Sequence, residues 1–238
     1  MPAAPGGRAE LMLSIVPTPL GNLEDMPPRA LRALREAAAV YCEDTRRTRN
    51  LMTHFGLATP VLRYNERDER DHRRLLERLQ AGDDLALVSD GGLPCISDPG
   101  RRLVALASRA GVAVTVLPGP SAAVAAVAGS GLPGDSFVFL GFLPRAPGKK
   151  RKILQETAVL GRTIVMYESP YRVVELLLLA EALLGPKAQA CVVRELSKLH
   201  EEWLRGTLAE VRAALAARPE LLGEFVVVLH PKEAPEHA

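Results

Sequence analysis

The chain is poor in the features that mark several large function classes. It has three cysteines in 238 residues, at positions 42, 95 and 191, and no C-x-x-C pair. That spacing argues against a disulfide framework or a zinc site and points to a reducing cytoplasm. The five histidines, at 54, 72, 200, 230 and 237, show no metal-ligand spacing, so no metal is expected. Net charge is only +2; any nucleic-acid contact must come from local patches. Aromatic residues make up 4%, too few for a broad stacking platform. No apolar run approaches the roughly 18 residues of a membrane span. No G-x-G-x-x-G follows the first strand-like segment, and there is no G-x-x-x-x-G-K-[ST] or G-x-S-x-G. Those absences argue against an NAD Rossmann enzyme, a P-loop NTPase and an α/β-hydrolase.

What is present is an ordinary globular composition, 47% hydrophobic and 24% charged. The length fits one large or two small domains. The termini, residues 1–10 and 232–238, read as flexible tails, and "MPAAPGGRAE" lacks the apolar core of a signal peptide. From Leu11 the first half alternates strand-like and helix-like segments. "LMLSIV", "VYC", "VLRY", "DLALV" and "VAVTVL" are the strands. Helical patterns of roughly 10–15 residues between strands imply βαβ units and a parallel sheet. Pro118 to Pro120 breaks this rhythm. After the Ala-rich "SAAVAAVAGSG" come "SFVFLGFL", "RTIVMYE", "AQACVVREL", "EEWLRGTL" and "EFVVVLH". Short connections among the later ones favour antiparallel neighbours. The expected fold is therefore α/β in two domains: 11–119 around a mainly parallel sheet, and 120–231 around a mixed sheet.

Four strands of the first domain end in polar or Gly/Pro-rich segments: "PTPLGNLED", "EDTRRTR", "SDGGLPCISDPG" and "PGPSA". In an open parallel sheet, ligands bind beyond the carboxyl ends of the strands, so the four converge on one expected rim. Each also has a plain structural explanation. Asp98 before Pro99 suits a helix N-cap, and Ser121 suits another. In the second domain "YESPYR" and "RELSK" close two strands, and Pro170 suits a helix start. Two basic runs, Arg46 to Arg49 and Lys149 to Lys152, suit a phosphate backbone. The second lies in "FLPRAPGKKRK", which reads as a mobile loop.

Taken in order, "IVPTPLGNLED", "EDTR", "VSDGGLPCISDPG", "PGPSA", "GFLP", "YESPYR", "RELSK" and "GEFVVVL" resemble the small-subunit ribosomal RNA 2′-O-ribose methyltransferase I family of the tetrapyrrole-methylase superfamily. The resemblance covers about residues 11 to 231. It implies a tetrapyrrole-methylase-like pair of α/β domains with an interdomain cleft, S-adenosyl-L-methionine as methyl donor, and a homodimer. It also implies a cytidine of the small-subunit rRNA, free or in the 30S subunit, as substrate. The donor would then be bordered by Ser89, Asp90, Gly91, Gly92 and Pro94. Pro118, Gly119, Pro120, Ser121 and Ala122, then Tyr167, Glu168 and Ser169, and finally Gly223 and Glu224 would complete the border. Thr18 to Asn22 and Glu43 to Arg46 would face the cleft. Two positions depart from the family pattern: Leu93 stands where Thr is usual, and Tyr171 where His is common.

Methyl transfer to a ribose hydroxyl needs alignment of oxygen, carbon and sulfur, and somewhere for the hydroxyl proton to go. Glu168, Asp90 and Glu43 are the candidates for positioning or proton acceptance. Arg46, Arg47, Arg49, Lys149, Lys150, Arg151, Lys152, Arg172, Arg194 and Lys198 are the candidates for contact with RNA. Two other functions fit the same scaffold: methylation of a small molecule such as a tetrapyrrole precursor, and a non-catalytic RNA- or ribosome-binding protein.

Overall fold

The computed structural model describes residues 12–231, so both expected tails lie outside it. The chain divides into two compact units, residues 12–19 with Leu23–Pro120, and Leu20–Asn22 with residues 121–231.

The first unit is built on five strands: β1 (Met12–Ile15), β2 (Ala39–Cys42), β3 (Val61–Arg63), β4 (Leu85–Leu87) and β5 (Ala113–Val116). They lie in the order β3-β2-β4-β1-β5 and every pairing is parallel. The helices α1 (Pro28–Glu36), α2 (Thr45–His54), α3 (Glu69–Ala81) and α4 (Arg101–Arg109) cover both faces. Leu13, Ile15, Tyr41, Leu85 and Leu87 pack with Leu75 and Leu79 of α3 and Leu103 of α4. Their alternate neighbours Val16, Val40, Cys42, Ala86 and Val88 pack with Ala30 and Leu34 of α1 and Met52 of α2. Burial on both faces explains why these strands read as unbroken apolar runs.

The start of α4 differs from the sequence expectation. The helix begins at Arg101, its N-cap is Gly100 at φ 129°, and no side chain of its own caps it. Asp98 is not the cap. Glu66, which follows β3, does that work from 34 residues upstream: its Oε2 accepts the Gly100 amide at 2.6 Å and its Oε1 the Arg102 amide at 3.0 Å. Tyr64, fully buried, donates its hydroxyl to the same Oε2 at 2.6 Å. Burial pushes the Glu66 carboxyl up, but Tyr64 and the two amides outweigh it and hold the group below its ordinary value.

The second unit runs α5 (Ala122–Ser130), β6 (Phe137–Phe142), α6 (Pro147–Ala158), β7 (Thr163–Glu168), α7 (Val173–Leu184), β8 (Gln189–Arg194), β9 (Glu202–Thr207), α8 (Leu208–Ala216) and β10 (Phe225–His230). The sheet order is β6-β7-β10-β8-β9. Only β6 and β7 are parallel; the other three pairings are antiparallel. The expected α/β class, with one parallel and one mixed sheet, is borne out. The central strand β10, "FVVVLH", is buried along its length. Its Phe225, Val227 and Leu229 face a core shared with α7 and α8, while Val226 and Val228 meet Ala123, Ala126 and Val127 of α5. Each fully buried Val or Leu contributes about 1.5–3 kcal/mol.

Three local expectations need correction. "APGKKRK" is not a loop: Pro147 opens α6, and the basic run occupies its first two turns. Pro170 does not start α7, which begins at Val173 after Arg172. Ser121 is the N-cap of α5, but its side chain makes no capping hydrogen bond.

Glu66→Ala is expected to lower unfolding free energy by about 1–3 kcal/mol, because three donors lose a charged acceptor. Since the folded carboxyl titrates below its unfolded value, this contribution is complete above the unfolded value and disappears as pH falls through the folded one. Urea titrations of wild type and variant at neutral and acid pH measure both effects; a variant equally destabilised at the acid end would contradict the assignment.

Candidate functional site

In the first unit the loops after β1, β2, β4 and β5 lie at one end of the sheet and are tied together. Thr18 and Gly92 exchange both backbone hydrogen bonds, each 2.9 Å. Thr18 Oγ1 also donates to the Ser89 carbonyl at 3.1 Å, and Ser89 Oγ to the Gly92 carbonyl at 3.2 Å. Gly92 sits at φ 86°, a conformation that disfavours any side chain. The loop after β5 is seated as closely: a Cβ on Gly119 would lie 2.4 Å from Pro17 Cγ. Leu93 turns inward and packs against the core that includes Leu75 and Leu87. The apolar residue at this departure from the family pattern therefore serves packing.

The loop after β2 brings in the charges. Asp44 caps α2 by accepting the Arg46 and Arg47 amides at 2.9 and 3.2 Å. Arg47 Nη1 stands 3.6 Å from Asp90 Oδ2. Burial pushes the Asp90 carboxyl above its ordinary value; the Arg47 charge and the Asp44 amide offset this only in part, and the Asp44 charge adds to it. Glu43 is exposed on the bend before α2.

In the second unit β7 ends in Glu168, only 2% exposed. Its Oε1 accepts the Ser169 amide at 2.7 Å and pairs with Arg172 Nη2 at 2.6 Å. Its Oε2 is buried and has no hydrogen-bond partner. An unpaired buried carboxylate oxygen is costly, so this atom marks a place where a donor is wanted. One residue earlier, Tyr167 accepts the Ala123 amide on its hydroxyl at 3.1 Å, anchoring the first turn of α5.

Glu195, which the sequence did not single out, is the hub of the same end of this sheet. Its Oε1 accepts the Glu224 amide at 2.8 Å and pairs with Lys198 Nζ at 3.0 Å. Lys198 Nζ also reaches Glu224 Oε2 at 2.9 Å. Burial pushes the Lys198 ammonium down, but the two carboxylates outweigh it and leave it above the usual lysine value. Glycine is needed on two sides of the hub. A Cβ on Gly21 would lie 2.2 Å from Lys198 Cγ, and one on Gly223, at φ 95°, would lie 2.6 Å from Glu195 Cγ and Oε1. The only local sign of this hub is geometric: Glu195 and Ser197 both adopt positive φ, 51° and 63°.

The structure thus gathers Thr18, Ser89 to Gly92, Gly119 and the Asp44–Arg47 turn in one unit. In the other it gathers Tyr167 to Arg172 with Ala123, and Gly223 and Glu224 with Lys198. It separates the candidate cations into two groups. Arg46, Arg47, Arg49, Lys149, Arg151 and Lys152 are exposed. Lys150 is 1% exposed and paired with Glu175 at 3.0 Å, so it does not belong to the exposed basic patch expected from the sequence. Arg172 and Lys198 are committed to the pairs above, and Arg194 donates to the Leu222 carbonyl at 2.6 Å.

A family model, the tetrapyrrole (corrin/porphyrin) methylases, matches residues 12–212. The chain is 44% identical over 218 residues to ribosomal RNA small subunit methyltransferase I of Halalkalibacterium halodurans, covering 91% of this chain and 75% of that protein. It is 42% identical over 222 residues to the protein of the same name from Thermotoga maritima, covering 93% and 99%. Among solved structures, diphthine synthase is similar at a TM-score of 0.73 and 19% identity, covering 94% of this chain and 91% of that one. Uroporphyrin-III C-methyl transferase from Thermus thermophilus, complexed with S-adenosyl homocysteine, is similar at 0.63 and 24%, covering 91% and 96%.

Gly223→Ala is expected to lower unfolding free energy by about 1–3 kcal/mol, from left-handed backbone strain and displacement of Glu195. An unchanged urea midpoint would show that the hub does not need the glycine.

Proposed function

The chain belongs to the tetrapyrrole methylases and, within them, to the small-subunit ribosomal RNA methyltransferase I family, and from that premise we propose that it methylates the ribose 2′-oxygen of a cytidine in small-subunit rRNA. Bound S-adenosylmethionine supplies a methyl group already activated on a sulfonium sulfur. The observation that carries donor binding is Glu168 Oε2, a fixed, buried acceptor with no partner. The amine and hydroxyl groups of the donor are of the kind it lacks. Gly91, half-buried beside the Thr18–Gly92 tie, offers backbone that a ligand can approach closely.

The chain's own residues divide the remaining work. The Thr18–Gly92 tie keeps the loop that carries Asp90 in one shape, and rigid placement of reacting groups contributes much of the rate in such a displacement. Asp90, partly exposed and more basic than an ordinary aspartate, takes the 2′-hydroxyl proton. Glu168 is a weaker choice for that step, since Arg172 and the Ser169 amide already hold its Oε1. Exposed Arg46, Arg49, Lys149, Arg151 and Lys152 meet RNA phosphates, and binding weakens with salt. A small ring substrate would need no such spread of charge, which favours RNA over a tetrapyrrole precursor. In keeping with the resemblance, the working form is a homodimer in the cytoplasm.

The test uses purified protein, methyl-labelled S-adenosylmethionine and small subunits from a strain lacking the modification. Label in rRNA at an alkali-resistant position is expected. Donor binding without label in rRNA would favour a small-molecule methylase, and absence of donor binding would leave only an RNA-binding role. Asp90→Asn is expected to lower turnover by about 10²–10⁴-fold with donor affinity kept. Glu168→Gln is expected to weaken donor binding by roughly ten- to hundredfold, as lost charge-assisted hydrogen bonds do. Wild-type turnover should fall as pH drops through the Asp90 value, which lies above that of an ordinary aspartate; the reverse pattern in either variant would overturn these roles.

A further inference from the structure

The chain has ten aromatic side chains, and eight are buried or half-buried. The two exposed ones are Phe142, at 57%, and Tyr171, at 88%. Both belong to the second unit and both lie at one edge of its sheet. Phe142 is the last residue of β6, and Tyr171 follows the end of β7 by three residues. These strands run parallel, with Phe142 beside Tyr167 in register, so their carboxyl ends share an edge. Phe142 is braced there by an edge-on contact with the Tyr167 ring, centroids 5.5 Å apart. Tyr171 has no such brace and no hydrogen-bond partner among the described residues. It immediately precedes Arg172, the residue paired with Glu168. The exposed cations Arg145, Lys149 and Arg151 lie in the bend and the first turns of α6 that follow β6.

An aromatic face held in water, in a unit that also carries exposed cations, is the chemistry that recognises unpaired nucleotides. The ring stacks on a base while the cations meet the phosphates. Composition excludes a broad platform of this kind but leaves room for a single ring. We propose that Tyr171 stacks on an unpaired nucleobase of the RNA adjoining the target nucleotide. The inference rests on the RNA reading of the site. Tyr171 is then a substrate contact that holds the RNA, with no part in proton transfer. Tyr171 directly precedes Arg172, whose partner Glu168 is assigned to the donor.

The experiment compares wild type with Tyr171→Ala, Tyr171→Phe and Tyr171→Trp in four measurements. These are kcat and KM for small ribosomal subunits, S-adenosylhomocysteine affinity by calorimetry, and mass by light scattering. Tyr171→Ala is expected to raise KM by roughly ten- to hundredfold, with donor affinity and mass unchanged. Phe and Trp, which keep a stacking face, are expected to restore KM to within a few-fold of wild type. If wild type methylates rRNA and Tyr171→Ala has an unchanged KM, the stacking contact is refuted while the RNA reading stands. If wild type places no label in rRNA, the RNA reading itself fails and takes this contact with it. If Tyr171→Ala changes the solution mass, the ring belongs to an interface between copies of the chain, and the proposal is overturned.

Discussion

Two hydrogen bonds between Thr18 and Gly92 join the loop after β1 to the loop after β4, and the first unit's rim depends on them. Without them "SDGGLP" would be a glycine-rich segment with many conformations to lose. With them, and with the Thr18 and Ser89 hydroxyls turned inward onto neighbouring carbonyls, it is a fixed surface that presents Asp90. The cost is paid in sequence freedom: Gly92 needs positive φ, and Gly119 has no room for a side chain above Pro17. Leu93 fits the same scheme, because its side chain is spent on the core beneath the loop.

The second unit reaches the same end by charge. Glu168, Arg172, Glu195 and Lys198 are withdrawn from water to different degrees, and each is paired. Removing either partner of such a pair leaves a desolvated charge, which costs more than the pair contributes. The network therefore defines positions more than it adds stability. It fixes Glu224 and the turn at Gly223, and it leaves one oxygen, Glu168 Oε2, unsatisfied.

Much of the fold was legible in the sequence. Strands separated by helical patterns pointed to the parallel sheet, and the short gap between β8 and β9 pointed to antiparallel neighbours in the second, mixed sheet. What was not legible depends on distant residues. Local rules put the α4 cap at Asp98, yet Glu66 supplies it from across the unit. The Gly/Pro composition of "LPRAPG" suggested mobility, but Pro147 is a helix starter and the basic run is helical. Lys150 looked like its three cationic neighbours; helix geometry turns it alone toward Glu175. At the site, glycines and strand ends located both rims, whereas Glu195 carried no sequence signal, because its importance comes from Glu224, 29 residues away.

The proposed donor binding turns on Glu168 Oε2, the buried oxygen at the end of β7 that has no hydrogen-bond partner. A crystal structure of the protein with S-adenosylhomocysteine tests it most directly. An amine or hydroxyl of the ligand is expected within about 3 Å of Glu168 Oε2, an ordinary hydrogen-bond distance, with the Thr18–Gly92 pairing intact. A ligand bound elsewhere, or one that leaves that oxygen unpaired, would contradict it.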